Sequence, residues 1–254
     1  MNIETHTWYS PSLGQDMTLN VYGHAGKPVI VFPALGGTHH EFEDFGMVEA
    51  ARGFIEGGSL KLFTVSSVDN QSWANMHIPP ADRALRHEDY DRYIIEEVAP
   101  FVRQHGQGSQ EKFLTAGCSM GGYHAPNFLF RHPDVFDAVI GLSGLFQLGM
   151  FVGDYMDQTI YFNSPLHYLR NLSDPWYLEQ YRQSHIILCC GQGAWEDSAI
   201  ADLRAFESVL KDKQVPAWVD FWGYDVNHDW PWWRKQLAYF LENLMQAQVL
   251  PQAA

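Results

Sequence analysis

The sequence predicts an α/β protein, built on a doubly wound, mostly parallel sheet with an antiparallel hairpin at the N-terminus. Short, continuous apolar segments recur along the 254-residue chain, as expected of strands buried on both faces. Amphipathic segments with helical spacing lie between them, and strands that alternate with helices are joined by parallel crossovers. We expect one domain over residues 1–254, because this length is ordinary for a single α/β domain.

The elements follow in order. Two polar–apolar segments, residues 5–10 and 17–21, flank a turn with proline and glycine and predict the hairpin. The other strands are predicted at residues 29–32, 60–65, 113–116, 138–142, 186–190 and 217–222, and the clearest helices at 90–98, 200–210 and 232–244. Residues 146–182 are irregular and rich in aromatic side chains. We interpret them as an insertion, either a partial lid over the carboxyl edge of the sheet or a packed surface excursion.

Composition excludes some partners. The formal net charge is −14, which argues against nucleic acids and anionic membranes, since both require basic patches. The first residues have neither a basic nor an apolar segment, so no secretory leader is expected, and no apolar run reaches membrane-spanning length. Three cysteines, two of them adjacent in a predicted strand, favour a reducing, cytoplasmic location. We expect no metal and no cofactor.

The most informative motif is Gly-Cys-Ser-Met-Gly-Gly at residues 117–122. It follows a predicted strand and precedes a predicted helix, which is the context of a nucleophile elbow. In such an elbow the serine lies on a sharp turn, and its hydroxyl is exposed above the edge of the sheet. Ser119 is therefore the candidate nucleophile of a hydrolase or an acyltransferase.

A serine nucleophile needs a base and an acid, which follow it along the chain in the order acid, then histidine. His228 fits the base, since it lies in the loop after the last predicted strand. The loop after the preceding strand offers two adjacent carboxylates, Glu196 and Asp197. We prefer Asp197, with Glu196 as the alternative, and Asp202 is a weaker candidate because it lies inside the next helix.

The oxyanion hole is expected to use two backbone N–H groups. One belongs to Met120, the residue after the nucleophile, and the other to the loop after strand 29–32, where we choose Leu35. Gly36 is the next choice. Trp230, beside His228, and Asn70, after strand 60–65, are candidate substrate-binding residues, although packing for Trp230 and turn formation for Asn70 are the favoured explanations.

With these residues placed, the chain resembles the Putative esterase family of α/β hydrolases. That family includes S-formylglutathione hydrolases (esterase D), feruloyl and acetyl-xylan esterases, and mycobacterial mycolyltransferases. The resemblance is carried by residues 31–37, 117–123, 132–136 and 190–193. It implies an α/β-hydrolase fold. Its branches place the acid differently, at Asp197 by the mycolyltransferase pattern and at Glu196 by the esterase D pattern.

The expected function is that of a serine carboxylesterase, which hydrolyses small acyl esters through an acyl-enzyme. The alternative is an acyltransferase or thioesterase that uses the same triad. A non-catalytic binding protein on this fold is a third reading, against which the ordered serine, acid and histidine argue.

Overall fold

Eight strands form one sheet in the computed structural model, which describes residues 1–106 and 111–251. Their order across the sheet is β1-β2-β4-β3-β5-β6-β7-β8, with β1, β2 and β4 paired antiparallel and all other neighbours parallel. The strands are β1 (Ile3–Ser10), β2 (Gln15–Tyr22), β3 (Lys27–Phe32), β4 (Leu60–Val65), β5 (Phe113–Cys118), β6 (Phe136–Leu142), β7 (His185–Cys190) and β8 (Trp218–Phe221). The predicted α/β class and N-terminal hairpin are confirmed.

Helices fill the crossovers on both faces of the sheet. The described helices are α1 (Glu41–Asp44), α2 (Met47–Ala50), α3 (Arg52–Glu56), α4 (Pro80–Arg92), α5 (Ala99–His105), α6 (Met120–Arg131), α7 (Gly149–Val152), α8 (Gln158–Phe162), α9 (Pro165–Asn171), α10 (Pro175–Gln183), α11 (Asp197–Asp212) and α12 (Trp230–Gln246). A π-helical segment, Tyr93–Val98, joins α4 to α5, and a 3₁₀ turn, Asp69–Gln71, follows β4. No helix in these described ranges is long and apolar enough to span a bilayer.

The sheet separates two apolar cores, because successive side chains of a strand point to opposite faces. In β3, Ile30 and Phe32 belong to the core beneath α4, α5, α6 and α11, whereas Val29 and Val31 belong to the core beneath α2, α3 and α12. Every residue of β3, β4 and β5 is buried. This double burial explains why these strands are apolar throughout rather than alternating.

The strand order creates a crevice between β3 and β5. The chain runs from β3 outward to β4 and then returns to the other side of β3 as β5. Ligands of open α/β sheets bind outside the carboxyl ends of the strands at such a reversal. The loops after β3 and β5, which carry Leu35 and Ser119, therefore lie side by side at the edge where a site is expected.

The irregular segment 146–182 forms α7 to α9 and most of α10. Its first residues are tied to α11, because the Asp202 carboxylate accepts the Phe146 N–H at 2.9 Å and the Gln147 side-chain amide at 3.2 Å. Asp202, the weaker candidate acid, therefore has a structural role, because it holds the start of the insertion against α11. Whether the segment acts as a lid stays a prediction.

Candidate active site

Ser119 lies on a strained turn between β5 and α6. Its backbone has φ 56° and ψ −117°, a left-handed conformation that is costly for a residue with a side chain. The turn also needs glycines, since a Cβ on Gly121 would lie 2.3 Å from the Phe32 carbonyl oxygen, and one on Gly117 would lie 2.4 Å from the backbone of Gly121. This is the geometry of a nucleophile elbow.

The imidazole of His228 faces this serine. Its Nε2 lies 2.9 Å from Ser119 Oγ, within hydrogen-bonding distance. The His228 backbone N–H donates to the Ala194 carbonyl at 3.0 Å, which ties the loop after β8 to the loop after β7. Ser119 and His228 thus meet although they are 109 positions apart in the chain.

Glu196 completes the row. Its Oε2 lies 3.3 Å from His228 Nδ1, and its side chain is fully buried. The other oxygen, Oε1, accepts the Ser143 hydroxyl at 2.6 Å and the Gly191 N–H at 3.2 Å. Trp233 in α12 donates its indole N–H to the same Ser143 oxygen at 3.0 Å. The carboxylate is therefore held by Ser143 after β6 and Gly191 after β7, and Trp233 of α12 holds Ser143 in turn. These contacts orient the carboxylate towards the imidazole.

The preferred acid of the sequence analysis, Asp197, lies elsewhere. It is the first residue of α11 and is exposed, where a negative charge favours the helix N-terminus. The chain turns sharply at Trp195, which precedes both carboxylates and has φ 67°, and the two side chains that follow face opposite sides: residue 196 is buried and residue 197 is exposed. The structure therefore corrects this preference and places the alternative, Glu196, against His228.

The two predicted oxyanion donors lie beside Ser119. Leu35 and Met120 both line the cavity at this serine, and neither backbone N–H has an acceptor within the described ranges. Gly36, the second choice, donates its N–H to Asp69 at 3.1 Å and is not available to a substrate. The geometry thus favours Leu35 over Gly36.

A cavity of about 300 Å³ opens at Ser119. Its walls are largely apolar and come from the elbow helix, the insertion and the acid loop, through Tyr123, Met150, Phe151 and Trp195. Trp195 is 86% exposed, so its ring stands at the mouth rather than in the core. Sequence analysis expected, as one of two alternatives, that the insertion covers this edge, but it did not identify the lining residues of α7. It also missed Ser143, although a serine directly after the predicted strand 138–142 lies at the functional edge.

The two candidate substrate-binding residues are not among those that line the cavity. Trp230 stacks on Phe45 with ring centroids 4.4 Å apart and packs against Trp233. Asn70 is exposed and lies against Gly36, where a Cβ would come within 2.7 Å of its amide nitrogen. Substrate contacts by Trp230 and Asn70 remain predictions.

Cys118 and a histidine–carboxylate cluster on β1 and α5 do not belong to the row of Ser119, His228 and Glu196. Burial raises the pKa of the Cys118 thiol well above its usual value, so the residue before Ser119 stays protonated. In the described part of the chain, one group has the spacing of metal ligands, Glu4, His6 and His105. These residues lie on β1 and α5, and each imidazole is within 3.1 Å of the Glu4 carboxylate, as in an ordinary hydrogen-bonded cluster.

Comparison with known proteins adds the family. A family model described as Putative esterase matches residues 10–244. The chain belongs to the Putative esterase family. It is therefore a carboxylic ester hydrolase with the α/β-hydrolase fold. No curated protein matched the sequence.

Solved structures with the same fold cover nearly the whole chain of this esterase. A ferulic acid esterase superposes with a TM-score of 0.74 at 19% identity, over 96% of this chain and 98% of the other. An S-formylglutathione hydrolase from Staphylococcus aureus gives a TM-score of 0.69 at 19% identity, over 95% of each chain. MPT51 from Mycobacterium tuberculosis gives 0.70 at 16% identity, over 97% and 99%. At these identities the likeness establishes a shared fold.

Proposed function

We propose that this esterase is a serine carboxylesterase that acts through an acyl-enzyme on Ser119, with His228 as base and Glu196 as the acid that orients it. One observation carries the proposal: the continuous row from Ser119 Oγ to His228 Nε2 at 2.9 Å and from His228 Nδ1 to Glu196 Oε2 at 3.3 Å. Distances of this kind commonly shorten when substrate is bound.

In the first half-reaction Ser119 Oγ attacks the ester carbonyl carbon and gives its proton to His228 Nε2. The carbonyl π electrons move to the oxygen, and the N–H groups of Met120 and Leu35 bind the resulting oxyanion. When the oxyanion collapses, the bond to the leaving oxygen breaks, and His228 protonates the departing alcohol. Glu196 stabilises the imidazolium, whose Nδ1–H donates to it.

In the second half-reaction a water molecule attacks the acyl-enzyme and gives its proton to His228. The bond between the acyl carbon and Ser119 Oγ then breaks, and the proton returns to the serine. The products are a carboxylic acid and the free enzyme. Each step uses only the serine, the imidazole, the carboxylate and two backbone amides, so the cycle requires no cofactor.

The cavity supports small acyl groups. About 300 Å³ with mostly apolar walls accommodates a short acyl chain or a compact ring. The structural neighbours include proteins named as a ferulic acid esterase and as S-formylglutathione hydrolases, whose substrates we do not transfer in detail. A cytoplasmic location is part of the proposal, supported by three buried cysteines that form no disulfide.

The same row of groups also supports transfer of the acyl group to an alcohol, or hydrolysis of a thioester. The exposed ring of Trp195 at the mouth favours acyl transfer, because it offers a face on which an acceptor alcohol can stack. Product analysis with an added glycan or alcohol separates transfer from hydrolysis. Formation of the new ester at the expense of free acid would favour the transferase.

The proposal is tested by hydrolysis of p-nitrophenyl acetate by Ser119→Ala. We expect kcat/KM to fall by about 10³-fold or more, since only the oxyanion hole and binding remain. Ser173→Ala, at an exposed serine before α10, is the matched control and should retain full activity. Full activity in Ser119→Ala would overturn the mechanism.

A further inference from the structure

Two carboxylates bind the oxyanion loop on either side of Leu35. The Ala34 N–H donates to Glu41 Oε2 at 2.6 Å, and the Gly36 N–H donates to Asp69 Oδ2 at 3.1 Å. The Gly37 N–H closes the turn by donating to the Ala34 carbonyl at 2.9 Å. Of the four residues 34–37, only Leu35 therefore keeps an N–H without an acceptor in the described structure.

Asp69 also contacts the helix that begins after the nucleophile. Its side chain is 1% exposed, and its Oδ1 lies 2.9 Å from Nε2 of His124, which is fully buried in α6. One carboxylate thus joins the loop after β3 to the helix whose first residue, Met120, supplies the other candidate donor. Asp69 therefore connects the two segments that carry the candidate donors.

Glu41 holds the other side of the loop with little freedom. A Cβ on Gly37 would lie 2.4 Å from Glu41 Oε1, so a side chain at this position would displace the carboxylate. Burial raises the pKa of Glu41, and the hydrogen bond from Ala34 partly offsets this effect. Such a half-buried carboxylate is costly unless its hydrogen bonds are made, and charged acceptors form stronger hydrogen bonds than neutral ones.

We propose that Glu41 and Asp69 are positioning residues that occupy the N–H groups of Ala34 and Gly36 and so hold the intervening Leu35 N–H towards the oxyanion. The inference rests on the proposed function, since it concerns the same reaction at Ser119. Neither carboxylate is among the groups lining the cavity, and each acts through the backbone of the loop. A shift of the donor by a fraction of an ångström weakens transition-state binding and leaves ground-state binding nearly unchanged.

The test measures kcat, KM and the inhibition constant of a trifluoromethyl ketone, which adds to the serine and places an oxyanion in the hole. In Glu41→Ala and Asp69→Ala we expect kcat to fall by about 10- to 100-fold, somewhat less than for complete loss of a donor. KM should change little, and the inhibition constant should rise in proportion to the loss in kcat/KM.

Conservative variants test whether the loop is positioned by the acceptor oxygens of Glu41 and Asp69. Glu41→Gln and Asp69→Asn keep a carbonyl oxygen for the Ala34 or Gly36 N–H, so each should recover most of the lost kcat. Asp44→Ala, an exposed carboxylate of the same helix α1, is the control for Glu41. Asp91→Ala is the control for Asp69. Asp91 also forms a carboxylate–histidine pair, at 2.9 Å with His132, the residue directly after α6, and this pair does not contact the oxyanion loop.

The proposal is overturned if the alanine variants change KM alone, if the controls lose as much kcat as they do, or if the amide variants are as impaired as the alanine variants. If Asp69→Ala fails to fold, Glu41→Ala decides, because Glu41 is only partly buried. Failure of the proposed function has a different signature, an inactive wild-type protein or an active Ser119→Ala.

Discussion

Two adjacent carboxylates, Glu196 and Asp197, have opposite surroundings. Glu196 is fully buried and accepts hydrogen bonds from Ser143 and Gly191 while facing His228, whereas Asp197 is exposed at the start of α11. Sequence analysis identified the pair but preferred Asp197, whereas the structure places Glu196 against His228. The chain turns at Trp195, directly before the pair, with φ 67°, and no local pattern in the sequence indicates this angle.

Substitution separates the two carboxylates. Glu196→Gln keeps the shape of the side chain but removes the charge that stabilises the imidazolium, so we expect kcat/KM for p-nitrophenyl acetate to fall by about 10²–10⁴-fold. Asp197→Asn should retain wild-type kcat/KM. A larger loss in Asp197→Asn than in Glu196→Gln would return the role of acid to Asp197.

Trp195 combines strain with exposure. A tryptophan at φ 67° that is 86% exposed gains little stability from either feature, and its ring lines the cavity, so we predict that it contacts substrate at the cavity mouth. In Trp195→Gly the left-handed angle costs nothing, and the free energy of unfolding should rise by about 1 kcal/mol. KM for esters of bulky alcohols should rise at the same time. Chemical denaturation and steady-state kinetics measure the two effects, and an unchanged KM would contradict the assignment.

Among the elements, the strands were the most predictable. The predicted strand 60–65 has the observed bounds of β4. Each of the other strands except β8 extends one or two residues beyond its prediction at one or both ends, whereas β8 is one residue shorter than predicted at each end. Helices α1 to α3 and α7 to α9 are only four to seven residues long. A helical period cannot be recognised over such lengths, so the insertion was predicted as a segment without its internal structure.

Helix α7, which lines the cavity, is anchored by α4. Arg83 of α4 is 4% exposed and donates Nη1 to the Phe151 carbonyl of α7 at 2.7 Å. Arg83→Met keeps much of the apolar stem but removes this donor, so α7 should become more mobile. We expect faster amide exchange over residues 149–153 and a higher KM with little change in kcat.

The matched control for this variant is Arg92→Met. Arg92 is an exposed arginine of the same helix, and it pairs with Asp89. It should alter neither the exchange of α7 nor KM. If Arg83→Met leaves both unchanged as well, α7 is held by its apolar packing alone, and the anchoring role of Arg83 is refuted.

At the scale of the whole molecule, the sheet order brings the loops after β3, β5, β7 and β8 to one edge, where the proposed donor, nucleophile, acid and base meet. This convergence was predictable, because it follows from alternating strands and helices and from the chain order of Ser119 and His228. The buried polar network behind it was not. His87, His124 and Asp69 lie together through tertiary packing of α4, α6 and the turn after β4, and no local pattern marks it.

This network predicts how stability depends on pH. Burial lowers the pKa of His87 well below 6.5, so the unfolded chain binds a proton that the folded protein does not. The stability that the neutral imidazole provides is fully present above pH 6.5 and is lost as pH falls from 6.5 towards the folded-state pKa. The slope is about 1.4 kcal/mol per pH unit for one proton.

His87→Leu removes the titrating imidazole. The decline in the free energy of unfolding just below pH 6.5 should therefore become less steep, as measured by urea denaturation at a series of pH values around 6.5. His77→Gln, at an exposed histidine, should leave the wild-type slope unchanged. An identical slope in His87→Leu would show that other groups cause the decline.

Site-mapped covalent labelling tests the central claim, that Ser119 is a nucleophile activated by His228. The protein is treated with a fluorophosphonate, and its intact mass and peptide map are recorded by mass spectrometry. We expect one adduct per chain, located on Ser119, with no adduct in Ser119→Ala and much slower labelling in His228→Ala. An unlabelled wild-type protein, or equal labelling of Ser119→Ala, would contradict the account.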